Sequence, residues 1–217
     1  MKTFLFILAF YTLHACASVG PTINSYPLTV SSAMTYNIRM PFFERNPALA
    51  LNVEYQDVKR LRSEISKLIG RPLTFFKGWD EKGEAHVTTI TPPEYNNQLK
   101  PYVSYEEISR IAQDHDIQSS DLRILGIGSG KKLFKGEMGE TFFIIVESKR
   151  LLQIRNAIYQ EYLKNNGPVN GPNAFNPNRF YPHITIGFTH DDIHENDGLI
   201  KDVQHSLDKR FSLRVVK

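Results

Sequence analysis

The chain has a single cysteine, Cys16, in 217 residues. That excludes a disulfide framework and any cysteine-rich zinc module. A net charge of one sign is also nearly absent, since 26 basic residues stand against 23 acidic ones and leave +3. Such a balance is no nucleic-acid-binding footprint, although it tolerates an anionic substrate. No apolar run reaches the twenty or so residues that a bilayer-spanning helix needs. No N-x-S/T sequence signals a glycosylated product. What is present is ordinary for a folded domain: 41% hydrophobic and 23% charged residues. This length buries one sizeable core, or two small lobes that share a cleft.

The longest apolar run opens the chain. Met1-Lys2 precede the apolar residues 4–13, and Ala15-Cys16-Ala17-Ser18 follow. A short positive end, about ten apolar residues and an A-x-A-like site predict a signal peptide over residues 1–17. Leu13-His14-Ala15-Cys16 also resembles a lipobox, which would make Cys16 a lipid anchor; His14 fits that pattern poorly. Either way the expected location is secreted or cell-envelope.

Residues 18–50 show no clean period and read as an extended lead-in, with one short strand around 34–40. Val58, Leu61, Ile65, Leu68 and Ile69 then recur at helical steps, with Lys59, Arg60, Arg62 and Lys67 between them. Gly70 and Pro72 end that helix. Residues 73–76 and 85–90 read as strands joined by a polar turn at 80–84. Ser104 and Glu107 have capping-box spacing for a second helix, and Ser148 caps a third. Residues 122–127 and 141–146 are β-rich, with a Gly/Lys-rich turn between them. A loop covers 165–178, then come a strand at 184–188, a short helix at 193–203 and a last strand at 211–216. Strand pairs adjoining in sequence predict antiparallel sheets with helices, an α+β fold.

Two short segments match each other: His86-Val87-Thr88-Thr89 and His183-Ile184-Thr185-Ile186. Both fall on expected strands, where residues i and i+2 share a face. Each segment therefore offers one imidazole and one hydroxyl together, with Val87 or Ile184 turned into a core. Composition predicts only about 0.4 His-x-Thr matches by chance, so the pair is informative where one copy would not be. Two imidazoles supply a proton acceptor and a proton donor near neutral pH without a metal. Two threonine hydroxyls can donate to phosphate oxygens.

The paired His-apolar-Thr motif, separated by 97 residues, resembles that of the 2H phosphoesterase superfamily. That group includes RNA 2′,5′-ligase-like proteins and cyclic nucleotide phosphodiesterases. The segment from Phe180 to Gly187 is the closer match, whereas Thr89 stands where an apolar residue is commoner. The resemblance covers roughly residues 51–217. It implies a bilobal fold with two antiparallel sheets facing a central cleft, helices on the outer faces, and a pseudo-twofold axis. It implies a metal-independent phosphodiesterase acting on 2′,3′-cyclic phosphates or 2′,5′-phosphodiesters. His86 and His183 would be the acid and base, with His183 favoured as base, and Thr88 and Thr185 would hold the phosphate. Substrates would be RNA ends or small cyclic nucleotides, with no cofactor, and the protein a monomer. The alternatives are a non-catalytic nucleotide-binding module of the same fold and a metal-dependent hydrolase.

Other residues carry weaker signals. Tyr181 shares the face of His183 and could stack on a base, and Arg179 could pair with phosphate. Phe75, Phe76 and Trp79 read chiefly as packing residues. Residues 126–132 fail the P-loop pattern and read as a flexible turn, with Lys131, Lys132 and Lys135 available to a nucleic-acid backbone. His190, Asp192 and His194 are metal-ligand types, although Thr189 with Asp192 also fits a helix cap.

Overall fold

The computed structural model describes residues 22–25 and 48–215. The expected leader, Cys16 and the strand expected around 34–40 lie outside them. Two antiparallel sheets and several helices make an α+β architecture, and a short parallel pair joins strand β1 (Thr22–Ser25) to β7 (Ser212–Val215).

The first sheet pairs β2 (Leu49–Val53) with β3 (Ala85–Ile90). Strand β2 begins inside the expected lead-in. All five of its residues are buried, so it lacks the alternation that marks a half-exposed strand. Helix α1 (Tyr55–Ile69) follows and buries Val58, Leu61 and Ile65. It ends where glycine predicts, with Gly70 at φ 67° donating to Lys67 O. Arg62, grouped with the polar stripe by sequence, is only 7% exposed.

Residues 73–76 do not form the expected strand. Thr74 alone bridges to Phe188, and the turn expected at 80–84 is replaced by helix α2 (Lys77–Lys82). The cause is aromatic packing. Phe76 caps α2, and Trp79 one turn later folds back to 4.2 Å from the Phe76 ring and 6.1 Å from Phe75. After β3, helix α3 (Pro92–Glu94) leads to α4 (Tyr105–Asp114). Ser104 Oγ accepts from Glu107 N at 3.2 Å as expected, while the Glu107 carboxylate turns to Arg110.

The second sheet has the order β4 (Arg123–Phe134), β5 (Glu137–Glu147), β6 (His183–Phe188). The expected turn at 126–132 is strand. The reversal lies instead at Lys135 and Gly136, whose φ values of 48° and 95° suit a two-residue hairpin. Gly126, Gly128 and Gly130 recur at strand spacing and so share one face of β4. A Cβ at Gly130 would lie 2.5 Å from Leu199, and one at Gly126 would lie 2.6 Å from Leu207. Gly126 and Gly130 thus make room for Leu207 and Leu199, and Gly128 for the Phe143 ring, so the stretch is packed strand and not a flexible loop.

Helix α5 (Lys149–Lys164) is capped by Ser148 and buries Leu151, Ile154 and Ile158. They join Ile144, Ile184 and Ile186 in the core. The helix expected at 193–203 is absent. A single 3-10 turn at Glu195–Asp197 stops at Gly198, whose φ of 88° breaks it, and a short α6 (Val203–Ser206) is capped by Asp202. No helix among the described residues is long and apolar enough to cross a membrane.

Candidate active site

Strands β3 and β6 come within 8 Å of each other, Cα to Cα, although they belong to different sheets. The alternation read from sequence is present on both. Val87 and Ile184 are fully buried, while His86, Thr88, His183 and Thr185 are partly exposed. The four motif side chains therefore lie on the non-core faces of adjacent strands.

His183 sits in a charged setting. Its Nδ1 lies 2.8 Å from Tyr181 O. A carbonyl only accepts, so Nδ1 carries the proton and Nε2 holds a lone pair. Lys201 Nζ lies 3.2 Å from that Nε2 and 3.2 Å from Asp192 Oδ1. Asp192 also accepts from Thr141 Oγ1 at 2.6 Å and from Thr185 Oγ1 at 3.4 Å. Lys201 and Asp192 each have only 3% of their side chain exposed. Burial first, and Lys201 second, push the His183 imidazole down to about 3. Burial would raise the Asp192 carboxyl, but Lys201 and His194 outweigh it and hold the group below its usual range. Burial pulls Lys201 below its ordinary value, opposed by Asp192.

His86 sits among aromatic rings instead. Trp79 meets it edge to face at 4.6 Å between centroids. Phe76 is packed on Trp79 and, across the sheet boundary, on Phe188 at the end of β6. Asn52, buried on β2, stands opposite His86 in the register. Thr89 is buried, and its Oγ1 has no hydrogen-bond partner.

Two buried arginines tie the halves together crosswise. Arg62 on α1 donates from Nε to Ile186 O on β6 at 2.6 Å. Arg155 on α5 donates from Nη1 to Thr89 O on β3 at 2.7 Å. Ile186 and Thr89 are each the fourth residue of their motif. Each helix thus holds the motif strand of the opposite half at the corresponding carbonyl.

A family model described as Swiss Army Knife, 2H phosphoesterase domain, matches residues 47–194, about two-thirds of the chain. The chain belongs to the 2H phosphoesterases. The match includes both histidine motifs and both arginine ties, and it ends before Lys201. No curated protein and no solved structure matches the chain.

In this 2H phosphoesterase domain the remaining candidates fall in different places. Tyr181 lines a cavity of about 260 Å³ with Ile145, Phe180, Pro182, Lys201 and Val203. The Arg179 guanidinium is held by Glu195. Thr189 caps no helix; its Oγ1 accepts from Glu140 N at 2.9 Å. His190 stacks on Phe134 at 4.7 Å, and Asp192 is occupied by Lys201 and Thr141. Those residues and His194 are not gathered as ligands, and no such group of three occurs among the described residues. Lys132 is paired with Asp197 at 2.5 Å, and Lys131 faces Glu140 at 3.8 Å. The sequence reading missed Lys201. It lies 18 residues beyond His183 in no motif, and only the packing of residues 199–207 on β4 brings it to the imidazole.

Proposed function

We propose that this protein is a phosphodiesterase using two-histidine acid–base catalysis on 2′,3′-cyclic phosphates or 2′,5′-phosphodiesters of RNA ends or nucleotides. One observation carries the reading: each of two adjacent strands presents an imidazole and a hydroxyl on its non-core face. The crosswise arginine ties support a pseudo-twofold, bilobal arrangement with the phosphate between β3 and β6. His183, neutral with its Nε2 lone pair on Lys201 Nζ, serves as general base once that contact is given up. It takes a proton from water as the water oxygen bonds to phosphorus. His86, protonated, gives a proton to the departing ribose oxygen as the P–O bond breaks. Thr88 and Thr185 donate to nonbridging oxygens, which gather charge in the transition state, Thr185 by giving up its long contact with Asp192.

The apolar run and small residues ending at Ala17 support export to the envelope or exterior. The test is turnover of 2′,3′-cyclic nucleotides and 2′,5′-linked dinucleotides in EDTA. His86→Ala and His183→Ala should each lower kcat by about 10²–10⁴-fold with the fold intact. Binding without turnover by the wild type would point to a non-catalytic module. Activity lost on chelation would point to a metal-dependent hydrolase. Full activity in both variants would sink the proposal.

A further inference from the structure

We propose that Lys201 is the substrate-phosphate ligand of the second half-site, with Asp192 as its positioning residue. The inference rests on the acid–base reading above and goes beyond it, because Lys201 lies outside the matched family span. A buried ammonium is costly unless it is paired, and Asp192 supplies the pairing at 3.2 Å. That pairing does not require a second contact on a catalytic imidazole, yet Lys201 Nζ lies 3.2 Å from His183 Nε2. Its third N–H has no acceptor among the described residues, and the ring face of Phe143 lies 5.1 Å away. Lys201 is also among the residues lining the 260 Å³ cavity beside Tyr181.

These contacts define two roles. With no substrate bound, the ammonium donates to Nε2 and adds its charge to the burial that keeps the imidazole unprotonated. When an anionic phosphate arrives, it takes over that N–H, and Nε2 is released to accept the proton of the attacking water. No covalent bond to Lys201 forms. The charged groups facing His183 are Lys201, Asp192 and His194, all from the segment after β6; Phe143 on β5 supplies only its ring. Asp192 fixes the ammonium and is itself held by Thr141 and Thr185, so the second motif's hydroxyl belongs to the same network.

The decisive comparison uses the double variant Lys201→Met/Asp192→Asn, which removes both charges and leaves no unpaired ion in the core. Lys201→Arg keeps the charge and serves as the conservative partner. Thermal melting checks the fold. NMR follows the His183 ring against pH and against added inorganic phosphate, and steady-state kinetics follow a 2′,3′-cyclic nucleotide. The double variant should leave the His183 titration midpoint low, because burial is its first cause and the lost Lys201 and Asp192 charges act on it in opposite directions. It should raise KM at least tenfold and abolish the phosphate-induced shift, whereas Lys201→Arg should retain phosphate binding. A double variant that melts normally and keeps wild-type KM and phosphate response overturns the inference. If the wild type binds phosphate through Lys201 but turns nothing over, the reaction falls and the anion site stands. If it turns over and Lys201 proves dispensable, the site falls and the reaction stands.

Discussion

The two motif regions have the same local design and opposite surroundings. His86 and His183 each start a strand segment of His-apolar-Thr, each meets one aromatic ring, and each motif is tied at the carbonyl of its fourth residue by an arginine from elsewhere in the chain. Around His86 the neighbours are Trp79 and the rings behind it. Around His183 they are a lysine and an aspartate, both buried. Two matching motifs thus hold chemically unlike imidazoles. Acid–base catalysis needs such a difference, because one group must begin neutral and the other charged.

The crosswise ties are the first place to break this comparison, and the largest effect is expected there. Arg155 is 1% exposed and donates to Thr89 O, Pro177 O, Asn176 O, Arg179 O and Glu94 Oε1. Arg155→Met leaves those acceptors and the Glu94 charge unpaired, which should cost about 3–5 kcal/mol. Arg62 has fewer partners: Ile186 O, the half-exposed Asp80, and the Phe75 ring 4.0 Å below the guanidinium. Arg62→Met should cost about 2 kcal/mol. Urea denaturation of both variants measures the difference. Equal losses would mean that the ties are equivalent and the loop at 165–182 draws nothing from Arg155.

An intermediate effect is expected from acid. The folded His183 is held near 3, while an unfolded histidine titrates near its ordinary 6.5. Between those values the unfolded chain binds the extra proton, so stability falls as pH drops from about 6.5 towards 3. Asp192, held below its ordinary 3.8, adds a loss in the same direction only below that value. The window from pH 6.5 to 5.5 therefore separates the histidine from Asp192 and from the glutamates held below 4.5. His183→Gln should flatten the stability slope there, read from urea midpoints at each pH. An unchanged slope would mean that His183 is not the group held unprotonated.

Much of this was legible in the chain. The motif faces followed from strand periodicity, and helix ends followed from Ser104, Ser148 and Gly70, because a cap is a local interaction. What escaped was set by tertiary contact. Residues 126–132 look like a turn because glycine is a turn residue, yet here glycine makes room for Leu199 and Leu207. Arg62 looks like solvent-facing charge until the carbonyl of Ile186 is placed beside it. Lys201 fell within an expected helix, and nothing within several residues of it signals His183.

The smallest effect tests the one position where the motifs differ in residue class. Thr89 and Ile186 hold equivalent places, both buried, and both lend their carbonyl to an arginine. Ile186 is apolar there, whereas Thr89 carries a hydroxyl with no partner. A buried hydroxyl without a hydrogen bond costs about 1–3 kcal/mol of desolvation, and valine has nearly the same shape. Thr89→Val should therefore raise stability by about 1 kcal/mol and leave the Arg155 bond untouched, since that bond is to the backbone. Thermal melting measures the gain, and cyclic nucleotide turnover should stay within twofold. A loss of stability would mean that the hydroxyl has a partner at this site, such as a buried water. A loss of turnover at unchanged stability would place Thr89, not only Thr88, in contact with the phosphate.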